Sequence, residues 1–188
     1  MTGQWNVEYR VGSSDDSAAV ASLHADSWRR HYRGAYSDTY LDGDVVADRM
    51  EVWTARMAQT SKDSRTIVAE RVGELVGFVH VVFDADPSWG ALIDNLHVTA
   101  ELKRLGIGTG LLSEAARTVT EQRPSSGMYL WVLEQNEAAQ AFYVANGGVS
   151  VERGFVEPPG GETTRLNGQP VKLRYAWSNL SSLTIRPT

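Results

Sequence analysis

The residues best suited to chemistry lie between Leu96 and Leu112. An apolar run, Leu96-His97-Val98, leads through Thr99-Ala100-Glu101-Leu102 and Lys103-Arg104-Leu105 into Gly106-Ile107-Gly108-Thr109-Gly110. Glycines at alternate positions remove side chains where a ligand must approach the backbone, and they tolerate positive φ. A helix opened by such a loop points its unpaired N–H groups and the positive end of its dipole at whatever sits there. Lys103 and Arg104 add formal charge at the mouth. The chemistry that fits is capture of a phosphate or pyrophosphate.

Three phosphate-binding patterns compete for this segment. A Walker A loop requires GxxxxGK[ST], and the chain has no such string. A dinucleotide fingerprint requires GxGxxG tight against its strand, with an acidic residue some 20 positions on, a role for which Glu134 is placed. Leu111 stands at the third glycine position, however, and the stretch from Thr99 to Leu105 is too long for the tight turn. The third pattern brings in a second block, Leu130-Trp131-Val132-Leu133-Glu134-Gln135-Asn136, followed by Glu137 to Gly148. Within it Asn136 and Tyr143 are spaced to share one helix face about two turns apart. Asn136 is also a good N-cap.

Together the two blocks resemble the coenzyme A signature of the GCN5-related N-acetyltransferases, the GNAT superfamily. That family's Q/R-x-x-G-x-G/A run matches Lys103-Arg104-Leu105-Gly106-Ile107-Gly108, with Lys103 where Gln or Arg is preferred and Arg104 where a glycine is common. Its strand–Asn–helix–Phe-Tyr segment matches the stretch from Leu130 through Asn136 to Phe142-Tyr143. Ser27-Trp28 through Tyr32-Arg33-Gly34, Tyr40-Leu41 and Trp53 resemble the family's two N-terminal helices, and Leu173 to Trp177 its last strand. The resemblance implies acetyl transfer from acetyl-CoA to a primary amine by direct attack, without a metal. It implies that Lys103 to Gly110 (Thr109 included) and Asn136 hold the coenzyme with Tyr143. The backbone around Leu96, His97 and Val98 would bind the pantetheine arm and polarise the carbonyl, much as an oxyanion hole does. Tyr143 is the implied general acid, protonated at neutral pH from its reference pKa near 10. The amine's proton needs an acceptor: Asp94 is the first candidate, with Glu134 and His97 behind it. His97 precedes Val98 on a period-two strand, so their side chains face opposite ways. A non-catalytic acyl-CoA-binding or regulatory module of the same fold is the alternative, because fold does not fix function.

These residues need elements to position them. Alternation from Trp5 to Val11 reads as a strand, and Ala21, Ala25, Trp28 and Tyr32 recur at helical spacing within 15–33. Val46, Met50, Trp53 and Met57 mark a second helix over 38–59. Strands are expected at 66–70 and 75–83 about a Val72-Gly73 turn, then at 91–98, 128–133, 149–156 and 171–177. A loop covers 84–90, and helices occupy the stretch after the glycines and 137–146. The fold class is α/β, a single mixed, mostly antiparallel sheet flanked by helices, with 91–133 forming a parallel crossover. A single domain is expected over 1–180, with 181–188 a polar tail.

With 188 residues the chain suits one domain. Its net charge of −5 supplies no basic field for nucleic acid, and the absence of cysteine excludes thiolate and disulfide chemistry. Lacking a signal-like start or a membrane-length apolar run, it is expected to be cytoplasmic. The implied partners are acetyl-CoA and a small-molecule or peptide amine, with a homodimer as a family-level expectation. His24 and His31 lie one above the other on the first helix, but no third ligand stands at metal spacing. The Pro/Gly-rich loop from Pro158 to Gly168 reads as a hairpin tip, with Glu162 placed to attract a cationic amine. Asp38, Asp42 and Asp44 are further carboxylates near the second helix.

Overall fold

A computed structural model describes residues 6–184. The strands are β1 (Glu8–Val11), β2 (Ser64–Arg71), β3 (Glu74–Asp86), β4 (Gly90–Val98), β5 (Met128–Leu133), β6 (Val149–Phe155) and β7 (Val171–Trp177). The helices are α1 (Ser17–His31), α2 (Asp38–Asp42), α3 (Val45–Met57), α4 (Ile107–Gln122), α5 (Glu137–Ala145) and α6 (Ser181–Thr184). The strands form one sheet in the order β1-β2-β3-β4-β5-β7-β6, antiparallel throughout except for β4 beside β5. This is the expected mixed sheet.

Alternation along the strands decides what covers each face. Ile67, Val79, Val81 and Ile93 pack with Leu111, Leu112, Ala115 and Val119 of α4. Val68 and Phe78, from the other face, pack with Val20, Ala21, Trp53 and Met57 of α1 and α3. Leu111, Leu112 and Trp53 are fully buried, and each such side chain contributes about 1.5–3 kcal/mol of transfer free energy. At Gly77 an added Cβ would lie 3.0 Å from Leu111 Cδ1, so glycine is what allows α4 to lie close on β3.

The elements depart from expectation in three places, and the β2–β3 turn falls where expected. The 38–59 helix is two, because the chain breaks at Gly43 (φ −102°, ψ −99°), outside the helical region. The strand expected to end at Phe83 continues to Asp86, which pairs with Gly90 across the hairpin. The expected β2–β3 turn is tight, with both Val72 (φ 53°) and Gly73 (φ 78°) left-handed. The C-terminal stretch is not all polar tail: 181–184 form α6, Leu183 is buried, and its carbonyl accepts from Ser113 Oγ at 2.7 Å. Residues 185–188 and the Trp5 start of the first expected strand lie outside the described residues. No helix among the described residues is long and apolar enough to cross a membrane.

Candidate active site

β4 and β5 are paired only at Ala91↔Met128, Leu92↔Tyr129 and Ile93↔Leu130. Beyond Ile93 they separate. The cause is visible in the β3–β4 register, where His80 faces Asn95 but Val81 faces Ile93, so Asp94 is an extra residue bulged out of β4. A bulge bends its strand and frees the residue from the ladder. From Asp94 to Val98 the β5-facing edge of β4 therefore has no strand partner.

A groove of about 720 Å³ occupies this gap. One wall is Leu96 and Val98 of β4 with Leu102, Lys103, Arg104, Gly106, Gly108 and Thr109; the opposite wall is Asn136 and the first turns of α5 as far as Tyr143; Ser27 and His31 of α1 and Tyr32 just after it also line the groove. At the loop end Gly106, φ 84°, turns the chain into α4, and Arg104 is also left-handed at φ 65°. Glycine would adopt that backbone conformation at 104 without strain. Gly108 lies on the groove, where a Cβ would meet the Phe142 ring at 3.4 Å. Lys103 and Arg104 line the groove beside it.

Not every residue of the glycine run faces the groove. A Cβ on Gly110 would stand 2.0 Å from the Tyr9 hydroxyl of β1. Gly110 therefore makes room for a packed tyrosine and not for a ligand. Ile107 is buried in the core, and Leu105 is exposed and does not line the cavity.

At the closed end of the gap stand the candidates for proton transfer. Tyr143 lines the groove, and burial, with Tyr32 nearby, pushes its phenol above the ordinary value of 10. It is held by Tyr175 and Trp177 of β7, with ring centroids at 5.9 and 6.1 Å. Asp94 also lines the groove; its Oδ2 accepts from Arg56 Nη1 at 2.6 Å and from Asn95 Nδ2 at 2.7 Å. Oδ1 has no hydrogen bond among the described residues, which leaves one carboxylate oxygen for a visiting proton.

Glu134 is not brought to this site. Its carboxylate is taken by Arg153 of β6 at 3.0 and 3.1 Å, its pKa is lowered by that partner, and it does not line the groove. The chain turns after Leu133 and carries it to the surface. The His97 side chain faces away from Val98 as expected, onto Phe78 and His24, with Nδ1 2.8 Å from Ser27 Oγ. Burial first, then His31 and Lys103, lower its pKa to about 3. It remains neutral, a poor proton acceptor. Asn136 is the N-cap of α5, its Oδ1 accepting from Ala139 N at 3.2 Å, and it lines the groove as well.

Sequence reasoning missed Ser27 and His31, and took Tyr32 for packing. Ser27 and His31 are one turn apart, a polar edge beside the apolar stripe of α1, a pattern that is legible only once the stripe's facing is known. Tyr32 does pack, stacked on Trp28 at 5.3 Å, but it also lines the groove. Among the described residues no cluster of His, Asp and Glu could hold a metal ion.

The described residues thus form an α/β protein with one mixed sheet parted at its parallel pair and a basic glycine loop at the mouth of the parting. The family model described as Acetyltransferase (GNAT) family matches residues 23–147, and the chain belongs to that family. It is 28% identical over 139 residues to a Mycobacterium tuberculosis protein named a probable N-acetyltransferase, covering 73% of this chain and 77% of that one. An uncharacterized N-acetyltransferase of Bacillus subtilis is 26% identical over 141 residues, covering 74% and 78%. The PaiA N-acetyltransferase of Thermoplasma acidophilum, solved with coenzyme A, superposes with a TM-score of 0.69 at 20% identity, covering 92% of this chain and 99% of that one.

Proposed function

We propose that the protein moves the acetyl group of acetyl-CoA to a primary amine by direct attack. The observation that carries this reading is the parting of β4 from β5 after Ile93, with anion-binding groups at its mouth and Asp94 and Tyr143 lining the same groove. A pyrophosphate at Gly106–Gly108 would lay the pantetheine along the unpaired edge of β4, where backbone N–H groups can bond its amides and the thioester oxygen.

The proton balance follows. The neutral amine attacks the thioester carbon, the C–S bond breaks, and the nitrogen loses one proton while the sulfur gains one. Asp94 receives the first, directly or through water, at the oxygen that Arg56 leaves free. Tyr143 supplies the second from its phenol and is reprotonated from solvent. Elevation of the Tyr143 pKa keeps the donor charged with its proton across the working pH range. Tyr32 and Trp131 wall the same end of the groove, where the acceptor would enter.

Thiol release from acetyl-CoA, followed with a panel of polyamines, amino acids, peptide N-termini and aminoglycoside-type amines, tests the reading. Amine-dependent thiol release supports it. Coenzyme binding without thiol release for any amine would leave an acyl-CoA-binding module instead.

A further inference from the structure

α1 ends on the anion loop. The ring Nε2 of His31, its last residue, is 2.7 Å from Lys103 Nζ, and both residues line the groove. An ammonium has no lone pair, so Lys103 donates and His31 accepts; the imidazole is neutral, with its proton on Nδ1. This is the only hydrogen bond of the Lys103 ammonium among the described residues, although an ammonium can make three. The end of α1 is held from the other side too, where Gln135 Nε2 donates to the carbonyls of Arg33 at 2.8 Å and His31 at 3.4 Å.

We propose that His31 belongs to the coenzyme-phosphate site: when the pyrophosphate arrives, Lys103 turns to it, and His31 takes one proton from solvent and becomes a second cationic donor. This rests on the coenzyme reading above. The only bond formed is N–H at Nε2, and its proton comes from the buffer.

The charges around His31 set the sign. Burial, then Lys103 and Arg30, lower its pKa below 6.5, and Asp26 partly opposes them. Glu101 is turned to Arg30 at 3.8 Å. His97, behind it on β4, is neutral. The free protein therefore holds His31 unprotonated near neutral pH. A pyrophosphate at the same loop replaces net positive surroundings with net negative ones and raises the value. Between the two values, binding takes up a proton, and coenzyme affinity falls as pH rises, by up to about tenfold per pH unit.

Calorimetric titration of CoA into the full chain near pH 6.5, in two buffers of different ionisation heat, reads the uptake. Wild type should take up on the order of half a proton more than His31→Gln, whose side chain cannot titrate. The excess should persist with dephospho-CoA, which keeps the pyrophosphate. Lys103→Gln, which removes the neighbouring cation, should also reduce it and carries the test if His31→Gln fails to fold. Equal uptake in wild type and variants overturns the proposal, as does an excess that vanishes with dephospho-CoA, which would assign it to the ribose phosphate. Absence of CoA binding to wild type would instead overturn the coenzyme reading, before any variant is compared.

Discussion

The two ends of the groove are built differently. At the mouth the proposed working parts are backbone: left-handed Arg104 and Gly106, Gly108 without a side chain, and the first turn of α4, all contributed by seven consecutive residues. At the closed end the proposed working parts are side chains from four separated places, Tyr32 just after α1, Arg56 of α3, Asp94 of β4 and Tyr143 of α5. A backbone site needs local conformation, and local conformation is encoded in local sequence. A side-chain site depends on which strand bulges and which helix covers it. The mouth should therefore fail all at once when one residue changes, whereas the closed end should fail by degrees.

Gly108→Val gives the largest expected effect. The first added carbon already touches the Phe142 ring, and the branched remainder projects into the groove. For wild type, CoA at a hundredfold its Kd should raise Tm by about 5–10 °C. The variant should show no rise while keeping its own Tm near that of the free wild type. Gly110→Ala sharpens the contrast. Its methyl displaces Tyr9, so the free protein should melt about 2–6 °C lower, with the CoA-induced rise intact. If Gly110→Ala lost the coenzyme response instead, the division of the glycine run between ligand and packing would be wrong.

At the closed end, Tyr143→Phe keeps the ring among Tyr175 and Trp177 and removes only the hydroxyl. A fall in kcat of about 10²-fold, with CoA affinity unchanged, is the expected result. Undiminished kcat would mean that water protonates the leaving thiolate.

Asp94→Asn and Glu134→Gln separate the two carboxylates that sequence could not rank by geometry. The first should lower kcat by about 10-fold to 10²-fold. The second should stay within about twofold, because Glu134 lies on Arg153 outside the groove. The reverse result would move the base to the end of β5.

The same division explains what could be read from the sequence. Lys103 to Gly108 carry their proposed role in type and spacing; β7 was readable to the residue from its alternation, and β5 as a continuous apolar run bounded by Gly127 and the polar stretch from Glu134. Gly110 was misread because glycine looks the same whether a ligand or Tyr9 fills the space. The Asp94 bulge leaves no mark in the period of β4; only pairing with β3 reveals it. Glu134 sits one residue past a strand end, where a single turn decides between groove and surface. His31 could not be connected to Lys103, since that contact joins residues 72 apart in the chain.

The smallest effects belong to the β6–β7 loop, expected as a hairpin tip. The loop is docked: Arg165 reaches Asp48 at 2.7 Å and lies over the Tyr40 ring at 4.7 Å, Ser37 N donates to its carbonyl at 2.9 Å, and Asn167 N donates to Ala35 O at 2.9 Å. Asp38 and Asp42, at the start and end of α2, are both committed to Arg33. An arginine pair of this partly exposed kind is worth about 0.5–1 kcal/mol. Arg165→Met should therefore raise the acceptor KM by about 2–5-fold through a loosened loop, leaving kcat and CoA affinity in place. Glu162 stays exposed, so solvent and salt screen its field on an approaching amine. Glu162→Gln should accordingly raise acceptor KM by less than about twofold, only at low salt, and only for a cationic acceptor. A larger, salt-sensitive rise would make Glu162 the capture residue and would show that the closed end too depends on a single position.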